Sequence, residues 1–221
     1  MSANMINLIL ASTLDTLFMV AVAALIGIVF GAPLGVFLAT SQKGELYAAP
    51  MVNRGLGLLV NALRSTPFII LVVAIIPLTR FLTGTSIGTT AAIVPLTIAT
   101  IPFVARLVES AIREVDPGLT EAARAMGATP LQIVTKVLVP EARPSITLGV
   151  TMTVVSLIGY SAMVGAVGGG GLGDLGIRYG YQRFMPEMML AVVLVLIVLV
   201  QAVQSTGDFF ARRFDKRSRK T

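Results

Sequence analysis

Between Asp15 and Lys43 the chain carries no charged side chain, and the same holds from Phe81 to Ala105, from Pro144 to Gly173 and from Met188 to Gly207. About twenty apolar residues are enough for a helix to cross the hydrocarbon layer of a membrane. Backbone in lipid must satisfy its own hydrogen bonds, which helices do internally. The chain therefore reads as an all-α membrane protein with one transmembrane domain over residues 1–221. Its composition agrees, since 13% of residues are charged against about 25% in ordinary soluble domains. Cysteine and histidine are both absent. That excludes disulfides and thiolate chemistry, and removes the commonest general base and metal ligand. No catalytic residue, metal or cofactor is expected.

Five crossings are predicted, at about residues 14–40, 57–80, 90–112, 145–167 and 186–207. In the first, Gly27, Gly31 and Gly35 recur at i, i+4 and i+8, a face that lets another helix approach closely. Packing within the chain is preferred to a subunit interface. In the second, fifteen residues separate Arg64 from Arg80, too few for a span. The crossing must then draw on Gly55 to Leu63, with Arg64 snorkelling or facing protein. Pro77 is expected to bend this helix, and Pro95 and Pro102 to kink the third. Arg106, Glu109 and Arg113 form an ion-pair ladder at i, i+3 and i+7.

The net charge of +6 is informative through its placement. Arg212, Arg213, Lys216, Arg217, Arg219 and Lys220 crowd the last ten residues and read as a lipid-facing end, not a nucleic-acid site. With five crossings the termini lie on opposite sides. Fourteen of the seventeen basic residues, all but Arg80, Arg178 and Arg183, fall on one side. The positive-inside rule makes that side cytoplasmic, with the C-terminus inside and the N-terminus outside. The N-terminus has no basic region or small-residue cleavage site, so no removable signal peptide is expected.

The polar stretch at 114–143 faces the cytoplasm on this scheme. Leu119, Ala122, Ala123 and Met126 share a helical face. Asp116 and Pro117 supply an N-cap and N1, and Gly127 a left-handed end. Thr129-Pro130-Leu131-Gln132 opens a second helix with a capping box, which Pro140 is expected to end. The residues alone leave two arrangements open: a docking element for a soluble partner, or an amphipathic hairpin resting on lipid headgroups.

In the fourth crossing Ser145, Gly149, Thr153, Ser156, Tyr160 and Met163 make one stripe of small or polar groups. Helix packing and the lining of a pathway both account for it. Beyond it, eight glycines fall between Gly165 and Gly180. Such a run is not expected to hold a helix, and reads as a close-packed outer loop or hinge. It lacks the Gly-Lys-Ser/Thr ending of a nucleotide-binding loop.

Glu121-Ala122-Ala123, Gly127, Ile133 and Val139-Pro140 resemble the EAA signature of ABC importer membrane subunits. Arg64-Ser65-Thr66-Pro67 is similar to the Arg-Gly-Thr-Pro stretch of amino-acid permeases. Arg64 to Ile70, Gly84 to Gly88, Ala92 to Thr97, Gly159 to Met163 and the stretch through Gly171-Leu172-Gly173 resemble the methionine ABC importer permeases, over about residues 5–210. The resemblance implies the ABC importer type I permease fold, in a homodimer with one path on its two-fold axis. It implies a cytoplasmic ABC ATPase pair bound at Glu121, Ala122, Ala123, Met126, Gly127, Thr129, Pro130, Ile133 and Pro140, and an extracytoplasmic methionine-binding protein. Met163 is expected to gate the path, with Tyr160, Ser161, Ser156, Thr153 and Arg64 along it; core packing is the other role open to Met163. An ion-driven transporter is disfavoured because no Asp, Glu, His or Lys lies within the third to fifth spans away from their ends. An intramembrane enzyme is disfavoured because Ser161 has no His or Lys to activate it.

Overall fold

The computed structural model describes residues 3–214, and among these residues every regular element is helical. Lys216, Arg217, Arg219 and Lys220 of the basic tail lie outside them. The helices are α1 (Ala3–Thr40), α2 (Pro50–Ser65), α3 (Phe68–Ala74), α4 (Ile76–Thr83), α5 (Thr89–Arg113), α6 (Pro117–Ala125), α7 (Pro130–Ile133), α8 (Val139–Ala166), α9 (Gly171–Leu175) and α10 (Pro186–Phe214). Four stretches are long and apolar enough to cross a membrane: α1, α5, the rod Pro130–Ala166 and α10. The pair formed by α2 and α3 makes a fifth, broken by a bend of 103°.

Helices α1 and α5 form the tightest contact. A side-chain carbon added at Gly27 would strike Thr100, one at Gly31 the Ile101 carbonyl and Val104, and one at Gly35 the Ala105 carbonyl. The three glycines thus bring the two backbones together along a parallel pair, as packing within the chain requires. Met19, Ala23 and Ala24 of α1 then join Leu96 of α5 and Leu157 and Ile158 of α8 in the main core. Helix α8 runs antiparallel to α5, with Leu107 against Gly149, and α10 lies against α8 through Gly207 and Thr151. Residues 84–89 and 165–185 therefore gather at one end of the bundle. Residues 41–49, 114–138 and the end of α10 gather at the other. The exposed faces of α1 and α10 are apolar, including Leu14, Leu25, Phe30, Leu190, Leu194 and Val198, as a lipid-facing surface demands.

Four expectations are corrected. First, residues 57–80 are not one continuous helix but α2, α3 and α4 in succession. The Ser65 and Thr66 hydroxyls donate to the Asn61 and Ala62 carbonyls, and Thr66, preceding a proline, is extended (φ −79°, ψ 123°). Both effects end α2. Second, Pro140 does not end the second helix of the polar stretch. A π-helical turn at Val134–Leu138 joins α7 to α8, with the Val139 amide bonded to the Val134 carbonyl. Pro140 then falls in the first turn of α8, where its missing amide is tolerated. Third, the glycine run holds helical turns, at Gly171–Leu175 and Gly176–Tyr181. Tertiary packing outweighs the low helix propensity there. Fourth, the helix that holds the first predicted crossing begins at Ala3, ahead of residue 14. Helix α5 runs through the buried Pro95 and Pro102 without a break.

Candidate functional site

The polar stretch folds by local rules. Asp116 caps α6, its carboxylate accepting from the Gly118 amide at 2.8 Å. Gly127 turns the chain with φ +79°. Thr129 and Gln132 close a capping box, the Thr129 amide donating to Gln132 Oε1 at 2.9 Å. Buried Ala123, Ile133, Val134 and Leu138 fasten the hairpin to Val104, Val108, Ala111 and Ile112 of α5. The apolar face expected from Leu119, Ala122, Ala123 and Met126 divides: Ala123 packs inward, while Leu119 is exposed and Met126 is 80% exposed. Leu131, also exposed, extends this outward apolar set across the glycine turn. A cleft of about 310 Å³ lies beside it, lined by Glu45, Glu121 and Arg124 among others. The unpacked apolar residues and the adjoining charged cleft have the makings of an interaction surface. Leu131 was missed because its sequence neighbours carry the cap, and only its exposure distinguishes it from core.

The ladder on α5 closes on one carboxylate. Glu109, 4% exposed, accepts from Arg106 Nη1 at 2.5 Å through Oε2 and from Arg113 through Oε1. Arg106 also donates to the Gly57 carbonyl at 3.2 Å, tying α5 to α2. Arg64 ends α2 with its guanidinium carbon 5.7 Å from the centre of the Phe103 ring. Phe103 and Glu109 therefore share Arg64's surroundings, a grouping that sequence separation hides.

The stripe on α8 does not stay together. Thr153 is buried, its hydroxyl donating to the Gly149 carbonyl, and Ser161 is buried with its hydroxyl donating to the Ile158 carbonyl. Tyr160 stacks on Phe68, ring centres 4.4 Å apart. Ser156 is partly exposed. Met163 is 48% exposed and shares an open face with Leu148 and Met152 and with Gly159, beside which there is open space. This face, offset from the expected one, is available to a path or to a second subunit.

Comparison with known proteins is consistent in sequence and in fold. The family model of the binding-protein-dependent transport system inner membrane component matches residues 31–220. A probable D-methionine transport system permease protein of Vibrio cholerae is 58% identical over 211 residues, covering 96% of this chain and 94% of that protein. The D-methionine transport system permease protein of Escherichia coli is 50% identical over 165 residues, or 75% of this chain and 76% of that one. A solved chain of the MetNI methionine ABC transporter, in an inward-facing conformation, superposes with a TM-score of 0.95 at 47% identity, covering 98% of this chain and all of that one. A chain from an amino acid ABC transporter crystallised with histidines shares the fold, with a TM-score of 0.78 at 22% identity. From its packed helices, its capped hairpin and these relatives, the chain belongs to the family of binding-protein-dependent transport system inner membrane components.

Proposed function

We propose that the chain is the permease subunit of an ATP-driven importer that carries methionine across the bacterial inner membrane. The near full-length likeness to methionine permeases supports this reading most directly. The permease hydrolyses nothing itself; ATP hydrolysis belongs to a separate cytoplasmic ATPase pair. Two copies of the chain form a homodimer with the path on its axis, and an extracytoplasmic binding protein delivers the amino acid. The N-terminus is outside and the C-terminus cytoplasmic.

The ATPase docks on the hairpin 114–143. Glu121, Ala122, Ala123, Met126, Gly127, Thr129, Pro130, Ile133 and Pro140 belong to this coupling element, in two roles. Met126 and its neighbour Leu131 present apolar side chains to the ATPase, while Ala123, Ile133 and the capped turn hold the hairpin on α5. Met163 closes the path near the outer end, two copies meeting at the axis, because an unbranched thioether fills an irregular gap and moves aside readily. Ser156 lies along the same path, while Thr153, Tyr160 and Ser161 shape the helix that carries it. ATP-driven closure of the ATPase pair moves the hairpins and rocks the spans between inward-open and outward-open states.

The test is reconstitution of the permease and its ATPase in liposomes with the binding protein. ATP-dependent uptake of labelled methionine is expected, with glutamine, histidine and arginine excluded. Equal uptake of the polar amino acids defeats the methionine assignment. Uptake without the ATPase defeats the importer assignment.

A further inference from the structure

A second charged feature extends along α5 from Arg113, which also lines the cleft at the hairpin. A cleft of about 490 Å³ opens between the end of α2 and the inner half of α5. Three guanidinium groups, those of Arg64, Arg106 and Arg113, reach it, and one carboxylate, Glu109. Glu109 is already engaged by Arg106 and Arg113, so the cleft carries an excess of two positive charges. Arg64 makes none of the ion pairs among the described residues. The buried Arg106 Nε has no hydrogen-bond partner there. The apolar wall is Phe103 and Leu107.

Position narrows what such a cleft holds. Phe103 precedes Arg113, the last residue of α5, by ten positions, about 15 Å along the axis. Arg64 therefore stands alongside the apolar stretch of α5 that is long enough to cross a membrane, and ionisable groups within such stretches mark the route of a polar solute. Leu107 packs on Gly149 of α8, next to the exposed Leu148 and in line with Met152. The cleft and the open face of α8 thus adjoin. A guanidinium fork suits a carboxylate, and an aromatic ring suits a thioether.

We propose that this cleft is an inner binding site for the transported amino acid, in which the Arg64 fork holds its carboxylate and Phe103 and Leu107 receive its apolar side chain. The inference rests on the importer reading above and names where the cargo is held on the inward side. Arg106 positions Glu109 and does not touch the cargo.

The experiment uses the permease–ATPase complex in nanodiscs without nucleotide. Saturation-transfer NMR reads the S-methyl signal of L-methionine and of 3-(methylsulfanyl)propan-1-amine, which lacks the carboxylate. Arg64 is exposed, so Arg64→Gln leaves the fold intact. It is expected to weaken methionine binding about tenfold, the loss of one charge-assisted pair. Arg64→Lys keeps an intermediate signal, and the amine gives none. Equal methionine signals from wild type and Arg64→Gln overturn the proposal. So does a fall in co-purifying phosphatidylglycerol in Arg64→Gln with the methionine signal unchanged, which assigns the cleft to a lipid phosphate. ATP-driven uptake by the wild-type complex is measured in parallel. Its absence counts against the importer reading, whereas its presence with an insensitive Arg64→Gln counts against this site alone.

Discussion

The hairpin at 114–143 and the glycine-rich turn at 165–180 both depend on glycine, for opposite reasons. Gly127 has φ +79° and open space around it. Its role is conformational, to turn the chain where a side chain strains the backbone. Gly165 and Gly173 have no such φ. A carbon added to Gly165 would meet the Asp174 amide, and one added to Gly173 the Ala162 carbonyl. Their role is contact between the end of α8 and α9. Thr16 of α1 completes that junction by accepting from the Leu172 amide at 2.9 Å. The hairpin turn is thus specified by its own residues, the glycine-rich one by its neighbours. A surface that must fit a detachable partner benefits from the first kind of rule, since its shape persists when nothing is bound.

The contrast is broken most severely at the glycine-rich end. Gly173→Val places bulk against backbone that cannot move aside, and is expected to cost about 3 kcal/mol or more, read as loss of monodisperse protein in detergent. Gly127→Ala should cost only about 1–2 kcal/mol in thermal unfolding. Gly127→Asn should recover most of this, because asparagine tolerates the left-handed region. A Gly127→Ala loss matching that of Gly173→Val would erase the distinction. Thr129→Ala removes the capping box and should cost about 1 kcal/mol, seen as faster amide exchange confined to Leu131 to Thr135. Met126→Asp and Leu131→Asp should change stability by no more than about 0.5 kcal/mol, yet weaken co-purification with the ATPase. Retention of full binding by both would remove these side chains from the docking surface.

The legibility of the chain follows the same division. The caps at Asp116 and Thr129 and the end at Gly127 were readable because each depends on residues within four positions. The Gly27, Gly31 and Gly35 face was readable because its period is that of the helix. The break at Thr66 was also written locally, in a residue before a proline, but counting apolar residues to fill a span concealed it. The helical turns from Gly171 onward were not readable, since they depend on contacts with α1, α8 and α10. The offset of the open face of α8 was hidden for a related reason. Small side chains are chosen both for close packing and for lining a path, and Gly149 and Thr153 serve the former. The cleft at Arg64 unites residues far apart in the chain, which no local pattern reports.

The absence of a stop at Pro140 has a mechanical corollary. From Pro130 to Ala166 the backbone is one 37-residue strut, about 55 Å from end to end. Its near end is anchored in the hairpin and its far end bears Met163. On the proposed homodimer, a tilt of about 5° applied at the hairpin tip would sweep the opposite tip through about 5 Å over that length, enough to separate the two Met163 thioethers. On the proposed mechanism the wide π turn at Val134–Leu138 would be the joint that sets how much of that displacement arrives.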